Sequence, residues 1–534
     1  MASTPRRSKP APAAPKKALK AAPAPAAAPK KPVAAPKVVA ARKAAPPAPP
    51  PVVAAPAPAP VVADGEHRVE RDSMGEVRVP ARRMWGAQTQ RAVENFRVSG
   101  RTMPSRFLVA LAHIKAASAQ ANEDLGLLDP KLAAAIRAAA DEVVCGKHDA
   151  EFPIDVFQTG SGTSSNMNMN EVLSNLANRM LGGAVGSKKP VHPNDHVNMG
   201  QSSNDVIPTA LHVAVATAAR ERLLPALAKL AAALHEKAKA FDDVVKVGRT
   251  HLQDATPVRM GQVFGGYAAQ VAHGAQRVAL AWDHLLEVAL GGTAVGTGIG
   301  RDPEFHGKAI ERLSARTGLA LRRARNPFEA LAGREACVFF AGALASAAAA
   351  LTKVANDVRF LGSGPRCGYG ELKLPELQPG SSIMPGKVNP VMSESLIMAC
   401  LLVQGANTTV AAAGGAGNFE LNVTLPLLAM VLLDAVETLA GAVEGFTERC
   451  VRGLEVDRAR VTSMVEQSLM LATALAPKIG YDAAAAMAKE AYKAGTTIRA
   501  LAEQKKVLPP DELAATLDLR HMTEPGRGGL AAGG

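Results

Sequence analysis

The sequence predicts a mainly all-α fold built around a bundle of long helices. Alanine dominates a composition in which 48% of residues are hydrophobic but only 4% are aromatic, and side chains this small favour closely packed helices over a sheet-based core. Several long segments of the 534-residue chain are apolar around much of a helical circumference, so each needs partners on several sides. A helical bundle that also packs against identical bundles meets this need.

Residues 1–62 differ in composition from the rest of the chain. They contain 11 Lys and Arg residues and no Asp or Glu, which leaves +2 of the net charge of +13 for the remainder. Frequent proline opposes helix formation and the like charges repel, so we predict a disordered basic tail with polyproline II character. A solvated tail without a partner, a basic arm that contacts nucleic acid or another polyanion, and a mitochondrial transit peptide are the alternatives.

The cysteines and the hydropathy pattern weigh against several classes of protein. The cysteines are odd in number, scattered and without Cys-x-x-Cys spacing, which fits a reduced cytosol and gives no support to a structural metal or an iron–sulfur site; they are Cys145, Cys337, Cys367, Cys400 and Cys450. No apolar segment follows Met1 as a secretory signal requires. The most apolar stretch, Asn422–Gly441, is interrupted at Thr424, Pro426, Asp434 and Glu437, so we reject a membrane span there.

Short polar turns separate the predicted helices of the first half. A strand or hairpin near Val77–Val79 precedes helices over Ser105–Leu125 and Pro130–Val144. Thr159–Gly162 is a turn after which Thr163 or Ser164 is expected to cap a helix. The N–H groups exposed at such a helix start can hold a carboxylate.

Two further polar segments come before long helices. Gln201–Asp205 begins a helix that runs towards Lys239, with Pro208 expected in its first turn. Gly248–Asp254 is predicted to be a loop before another helix that starts at a proline, and its imidazole, His251, exchanges protons near neutral pH.

The second half is predicted to be helical around two special segments. Gly291–Gly300 is rich in glycine but lacks the strand–turn–helix context of a nucleotide site, so we expect it to let two helices or a neighbouring subunit approach closely. Helices are predicted over Pro327–Phe360, Val391–Gly405, Asn418–Gly445, Leu469–Tyr481 and Ala483–Ala502, followed by a flexible end at Gly526–Gly534.

The second special segment is the loop Gly380–Pro390, which concentrates polar side chains. Within it, Met384–Lys387 predicts a type II turn, because Pro385 presets φ at the second position and glycine tolerates positive φ at the third. Two hydroxyls, an ammonium and an amide therefore lie on one loop before the start of a helix. This combination indicates a site for an anion, or for a proton abstraction that creates one.

Five segments resemble signatures of the fumarase/aspartase superfamily, in which a group is added or eliminated across the double bond of fumarate. The resemblance runs from about Val69 to the end of the chain, and class II fumarate hydratases, the iron-independent group, are the most similar members. The segments are Gly380–Pro390, Thr159–Val172, His192–Asp205, Gly248–Pro257 and Gly362–Gly370.

This resemblance implies a three-domain subunit. The tail of residues 1–62 would be followed by an N-terminal domain at 63–202, a central helical-bundle domain at 203–456 and a small C-terminal helical domain at 457–534. It also implies a homotetramer with a shared core of long helices, in which loops from different chains form each active site.

The resemblance also implies roles for individual residues. The catalytic residues would be Ser381 as the base, His251 acting through a water and Glu394 setting the protonation of that histidine. The substrate-binding residues would be Ser161, Gly162, Thr163, Ser202, Ser203, Asn204, Thr250, Ser382, Lys387, Val388 and Asn389. A peripheral dicarboxylate site, the B site, would consist of Lys189, His192, Pro193, Asn194 and Asp195, with Lys189 standing where arginine is expected.

The implied function is reversible hydration of fumarate to (S)-malate in the tricarboxylic acid cycle, in the cytoplasm and without a metal or cofactor. Aspartate ammonia-lyase is the alternative within the superfamily, although Ser203 favours a hydroxy substrate because aspartases more often carry threonine there. Argininosuccinate and adenylosuccinate lyases are expected to lack the segments at His192–Asp195 and Gly248–Ala255. A non-catalytic protein that binds polyanions through its tail is the alternative from a different class.

Overall fold

A computed structural model of the chain describes residues 65–526. The predicted basic tail and the residues after Gly526 lie outside the described residues. Helices make up most of the described chain, which confirms a mainly all-α fold. In chain order the α-helices are α1 (Ala87–Asn95), α2 (Ser105–Asp124), α3 (Pro130–Val144), α4 (Thr163–Met180), α5 (Ser203–Ala218), α6 (Leu224–Ala240), α7 (Met260–His284), α8 (Phe305–Thr317), α9 (Pro327–Ala332), α10 (Glu335–Leu361), α11 (Val391–Gly414), α12 (Leu425–Phe446), α13 (Arg458–Gln467), α14 (Ala472–Ile479), α15 (Tyr481–Ala494), α16 (Ile498–Gln504) and α17 (Pro510–Thr516).

Strands in residues 65–526 occur only as short pairs. The pairs are β1 (His67–Asp72) with β2 (Gly75–Pro80), β3 (Val245–Thr250) with β4 (Gln253–Arg259), β5 (Glu287–Val288) with β6 (Arg322–Arg323), and β7 (Leu372–Lys373) with β8 (Glu455–Val456). The β5–β6 pair is parallel and the other three are antiparallel. The β1–β2 pair confirms the hairpin predicted near Val77–Val79. None of these pairs is wide enough to form a sheet-based core.

The long helices pack on one another around a single large core that extends from Val77 to Val461. Helix α6 packs against α7, α10 packs against α7 and α11, and α12 packs against α5, α6 and α11. This is the predicted central bundle. A second, separate core extends from Leu471 to Leu517 in the C-terminal helices. The exact domain boundaries, including the one at 202/203, stay predictions.

Helices α5 and α6 form one continuous helix, as predicted for the segment that starts near Gln201. They are joined by a π-helical turn at Ala219–Leu223, with right-handed helical dihedral angles on both sides. Pro208 lies inside the helix rather than in its first turn, which corrects the sequence prediction. Because proline has no N–H, the carbonyl of Asn204 loses its usual partner within the helix.

Two predicted helices are interrupted. Pro327–Phe360 is divided into α9 and α10 at Gly333–Arg334, where the buried Arg334 side chain donates to the carbonyls of Ala330 and Leu331 at the end of α9. The predicted helix Ala483–Ala502 is divided into α15 and α16 at Gly495, which has a φ of +63°. The Arg334 side chain thus provides hydrogen-bond donors for carbonyls at the end of α9, and the left-handed Gly495 ends α15.

Within residues 65–526, three helices are long and apolar enough to cross a membrane by length and composition alone: α10, α11, and α12 together with its continuation to Val451. Composition alone therefore does not exclude a span here, since Thr424 precedes the helix and Pro426 occupies its start. Packing within the protein accounts for the apolar surface of α10 and α12, because 56% and 61% of their most apolar windows are buried. For α11 the buried share is 33%, so much of its apolar surface is open.

The buried carboxylate of Glu171 on α4 holds the start of α1. It accepts hydrogen bonds from the backbone N–H groups of Gly86, Gln88 and Thr89 and from the Thr89 hydroxyl, at 2.6–3.1 Å. Burial raises the pKa of Glu171, and these donors oppose that effect. Helix α1 has no cap from its own N-cap residue, Gly86, so a residue 85 positions away supplies the cap.

We predict that Glu171→Gln destabilises the protein by about 3 kcal/mol, because an amide leaves N–H groups of α1 without an acceptor. The melting temperature should fall and hydrogen exchange in residues 86–95 should accelerate. The exposed Glu76 on β2 offers the control: Glu76→Gln should leave both measurements unchanged. Unchanged exchange at α1 in Glu171→Gln would contradict this role.

Candidate active site

The loop that carries Ser381 has the predicted turn. Lys387 N donates to Met384 O at 3.2 Å and Gly386 has a φ of +79°, as a type II turn requires. The base of the loop is closed by Gly380 N, which donates to Lys387 O at 2.7 Å. Most of the loop is exposed, including Ser382, Lys387 and Val388.

The Ser381 hydroxyl oxygen accepts two backbone hydrogen bonds, from the N–H groups of Ile383 at 3.3 Å and Met384 at 3.1 Å. In the same loop, Lys387 Nζ donates to Asn389 Oδ1 at 2.6 Å, and Asn389 Nδ2 donates to the carbonyl of Gly380 at 2.9 Å. The amide of Asn389 therefore orients the ammonium and ties it to the base of the loop. Two N–H donors thus point at the Ser381 oxygen, which would become negative if the hydroxyl lost its proton.

Helix α11 starts directly after this loop. Pro390 is its N-cap residue rather than part of its first turn, and the helix start has no side-chain cap. Its first turn contains Glu394, which is exposed. An uncapped helix start attracts anions through its free N–H groups and its dipole.

A second polar helix start lies at α4, where the expected cap was wrong. The N-cap is Gly162, with a φ of +73° and no side-chain cap. A Cβ at Gly162 would lie 2.7 Å from Ile207, so both the dihedral angle and the close approach of α5 require glycine. The hydroxyls expected to cap bond elsewhere: Thr163 with Ser161 and Ser164 with Thr159, each at 2.8 Å.

The third helix start, at α5, is capped by its own residues. Ser202 and Asp205 form a capping box, in which Ser202 N donates to Asp205 Oδ1 at 2.9 Å. Asn204 Nδ2 donates to the carbonyl of Ala294 at 2.8 Å. The Ser203 hydroxyl oxygen accepts from Asn166 Nδ2, in the first turn of α4, at 3.1 Å. The structure therefore brings the Ser161 and Ser203 segments together.

Asp205 also explains the glycine-rich segment Gly291–Gly300. Its buried carboxylate accepts from Gly291 N and Thr293 N, both at 2.9 Å. Cβ atoms at Gly291 and Gly296 would lie 2.8 Å from His306 on α8 and 2.7 Å from Phe328 on α9. The segment itself thus approaches two helices closely, and glycine is needed for that contact.

His251 lies at the tip of a hairpin, which corrects the loop predicted for Gly248–Asp254. Thr250 pairs with Gln253, so His251 and Leu252 form a two-residue turn with φ values of +56° and +62°. Pro257, expected to start a helix, lies in β4, and α7 begins at Met260. Both turn residues are exposed. Non-glycine residues with positive φ are strained, and such strain is typical of functional sites.

A buried ionic cluster missed by the sequence analysis holds the base of this hairpin. Glu371 is fully buried and forms ion pairs with Lys246, at 3.2 Å, and Arg249, at 2.6 Å, on β3. The Arg249 guanidinium also stacks over the ring of Tyr369, 4.4 Å from its centre. The only sequence signal for this cluster is that the acidic residue Glu371 directly follows the signature segment Gly362–Gly370.

A cavity of about 730 Å³ opens beside this cluster. Its lining includes Thr250 but none of Ser161, Ser203, His251 and Ser381. This cavity is therefore not the predicted active site. Within residues 65–526, no hydrogen bond joins the Ser381 loop to the His251 hairpin or to the α4 and α5 starts.

Three of the predicted peripheral residues, Pro193, Asn194 and Asp195, lie in one π-helical turn, Pro193–Val197. His192 caps it, with Nδ1 accepting from Asn194 N at 3.3 Å and Asp195 N at 3.2 Å. Lys189, Asn194 and Asp195 are exposed. The turn thus presents the Asn194 amide and the Asp195 carboxylate to solvent, and the Lys189 ammonium is exposed in the segment before it.

Comparisons with known proteins match this fold and these segments. Residues 75–405 match a family described as lyase, and residues 471–524 match one described as fumarase C C-terminus. The chain is 56% identical to a class II fumarate hydratase of Methylorubrum extorquens, over 81% of this chain and 92% of that protein. It is 55% identical to one of Chromobacterium violaceum, over 81% and 94%.

Solved structures agree with the sequence comparisons. A crystal structure of recombinant class II fumarase from Schistosoma mansoni superposes with a TM-score of 0.83 at 40% identity, covering 86% of this chain and all of that chain. A native fumarate lyase:delta crystallin structure from Brucella melitensis has a TM-score of 0.79 at 42% identity, covering 85% and 99%. The fold is that of a lyase. The chain belongs to the class II fumarate hydratase family, as the sequence motifs predicted.

We predict opposite effects of glycine at two exposed positions. Leu252→Gly should stabilise the protein by up to about 1 kcal/mol, because glycine adopts positive φ without strain, whereas the β-branched Leu252→Val should destabilise it. Melting temperatures measured by calorimetry test this order. Val69→Gly, in extended strand β1, is the control and should destabilise. Equal stability of the two Leu252 variants would contradict a strained turn.

Proposed function

We propose that this protein catalyses the reversible hydration of fumarate to (S)-malate without a metal ion. The observation that carries the proposal is the Ser381 loop, in which two backbone N–H groups donate to the serine oxygen and an amide holds the ammonium of Lys387. Membership in the class II fumarate hydratase family supports the same reaction.

The chemistry needs such a loop because the proton to be removed is only weakly acidic. Dehydration of malate begins with loss of a proton from C3, next to a carboxylate that is already negative. The resulting aci-carboxylate carries two negative charges, which must be stabilised where they develop. We assign this role to Lys387 and Asn389, with the free N–H groups at the start of α11 beside them.

We assign Ser381 as the base that takes the C3 proton. A serine hydroxyl is a weak base unless its alkoxide is favoured, and hydrogen bonds to the charged form do this. The N–H groups of Ile383 and Met384 make such bonds. The Lys387 ammonium adds positive charge to the same loop.

We assign His251 to the other end of the substrate, where it delivers a proton to the departing hydroxyl through a water. Its position at the tip of an exposed hairpin suits a residue that reaches into a site formed with another chain. Glu394 is proposed to set its protonation from such a neighbouring chain.

The remaining predicted substrate-binding residues are proposed to contact the two carboxylates of the substrate. They lie at the starts of α4 and α5, in the hairpin and in the Ser381 loop: Ser161, Gly162, Thr163, Ser202, Ser203, Asn204, Thr250, Ser382 and Val388. The turn at Pro193–Val197, with Lys189, is proposed as a peripheral dicarboxylate site. A lysine there supplies charge without the planar fork of arginine, so we expect weak binding.

We further propose a homotetramer in which each active site takes residues from more than one chain. The open apolar surface of α11 supports this, because Met398, Leu401 and Leu402 are 65%, 61% and 48% exposed. A neighbouring helix of a second copy would cover them. Assembly would also bring together the site segments that no hydrogen bond joins within one described chain.

We place the enzyme in the cytoplasm and in the tricarboxylic acid cycle. We propose no membrane contact, because a second copy covers α11.

The test of function is the absorbance of the fumarate double bond, with malate and with aspartate as separate substrates. We expect malate to be dehydrated and aspartate to be inert. Turnover of aspartate alone would make the protein an aspartate ammonia-lyase. An assembled, folded preparation that converts neither fumarate nor malate would contradict the proposal.

Two substitutions test the assigned roles. Ser381→Ala and His251→Asn should each lower kcat by roughly two to four orders of magnitude, because each removes a proton-transfer group. Ser73→Ala and His235→Asn change exposed residues of the same types away from the site and should have no effect. A near-normal kcat in Ser381→Ala would remove it as the base.

The assembly is tested by light scattering. Leu401→Lys should reduce the mass from four chains to fewer and abolish activity, because a charge cannot be buried unpaired in an apolar interface. Tyr492→Lys changes an exposed aromatic residue on α15 and should leave the mass unchanged. A fully active monomeric preparation would contradict the shared site.

A further inference from the structure

Lys115 is a charged residue on α2 that is completely buried, and neither the sequence motifs nor the proposed mechanism uses it. Its ammonium donates to Asn198 Oδ1 at 2.9 Å and to Gln201 Oε1 at 3.0 Å. Both acceptors lie in the turn just before the Ser202–Asn204 segment. A buried charge is costly unless it is paired and hydrogen-bonded, so a lysine at this buried position indicates a specific role for its ammonium.

The hydrogen bonds continue from Lys115 to the proposed substrate-binding serine. Asn198 Oδ1 also accepts from Asn166 Nδ2 and Asn170 Nδ2, both at 3.2 Å. The same Asn166 Nδ2 donates to Ser203 Oγ at 3.1 Å. Lys115, Asn198, Asn166 and Ser203 therefore form one chain of hydrogen bonds from the core to the site.

The direction of this chain is set at its buried end. An ammonium can only donate, whereas a side-chain amide can present either its oxygen or its NH₂ group. Because Lys115 donates, Asn198 must present its oxygen, and Asn166 must then present its NH₂ group to both Asn198 and Ser203. The Ser203 oxygen is thereby occupied as an acceptor, which leaves its hydrogen free to be donated to an anion.

Asp205 supplies the opposite charge. It is fully buried in the first turn of α5, two residues after Ser203. Burial lowers the pKa of Lys115 and raises the pKa of Asp205, and in each case the charge of the other group opposes the shift. The two charges thus stabilise each other beneath the start of the helix.

We propose that Lys115 is a positioning residue that fixes the direction of this hydrogen-bond chain and so makes Ser203 a donor to a substrate carboxylate. This role rests on the proposed function for its substrate, a dicarboxylate. The effect of Lys115 on the turn 198–203 does not depend on that function. The two parts can therefore be tested separately.

The first test is steady-state kinetics with fumarate. Lys115→Met keeps the length of the side chain but removes the donor, so the amides can reverse and Ser203 can donate to Asn166 instead. We expect KM to rise about tenfold with kcat changed less than threefold, because uniform binding is lost. Lys115→Arg keeps a group that only donates and should retain a KM closer to that of the unchanged protein.

A double-mutant cycle tests whether Lys115 acts through Ser203. If it does, adding Lys115→Met to Ser203→Ala should raise KM by less than twofold beyond Ser203→Ala alone. Ser118→Ala, a fully buried change on the same helix whose hydroxyl has no partner among the described residues, is the control and should leave KM unchanged. Additive effects in the cycle, or a folded Lys115→Met enzyme with normal KM, would overturn the proposal.

The second test is hydrogen exchange of the backbone in residues 197–206, which requires no substrate. Lys115→Met should accelerate exchange there and Ser118→Ala should not. If exchange accelerates while the unchanged protein neither converts fumarate nor binds succinate, the proposed function fails and the positioning role stands. If exchange is unchanged in folded Lys115→Met, the positioning role is wrong whatever the substrate.

Discussion

The carboxylate of Asp205 is the constraint on which the site region depends. It is buried, it begins helix α5 through a capping box, and it anchors the glycine-rich segment through Gly291 and Thr293. A buried carboxylate without these donors would be unstable. The helix start, the glycine segment and the two helices that this segment contacts are therefore placed together. The position of Ser203 relative to α4 follows from the same arrangement.

One chain builds several rigid pieces rather than a closed site. The starts of α4 and α5 are joined through Asn166, whereas the Ser381 loop closes on itself and the His251 hairpin is held from behind by Glu371. The helix starts and the hairpin are fixed by buried groups at their bases, whereas the Ser381 loop is closed by hydrogen bonds of Gly380. Each piece presents polar groups at an open end. Such a division suits an enzyme whose sites are completed by assembly, because each site segment is already held in position within its own chain before the chains associate.

Much of this could be predicted from sequence, and the failures have a common cause. Helices α2 and α3 and the Ser381 turn follow from local periodicity and from proline and glycine chemistry, which act within a few residues. The glycine cap of α4 depends on Ile207, and the break before α10 depends on Arg334 bonding backward. Lys115 and Glu371 were missed because an isolated charge is usually solvated, and only the folded chain shows that these two are buried. The spacing of the four site segments, at the α4 and α5 starts, the His251 hairpin and the Ser381 loop, does not reveal which of them meet.

The π-helical turn at Ala219–Leu223 has a consequence for how this long helix tolerates change. A π turn holds one more residue than an α turn, and one residue rotates a helix by about 100°. The extra residue is absorbed locally, so α5 and α6 each keep their apolar faces towards the core. Arg222 in this turn reaches Glu437 and Glu444 on α12. At such a turn the fold can hold one residue more or fewer without shifting the register of either half, so the length of the sequence can vary there while the start of α5 stays in place.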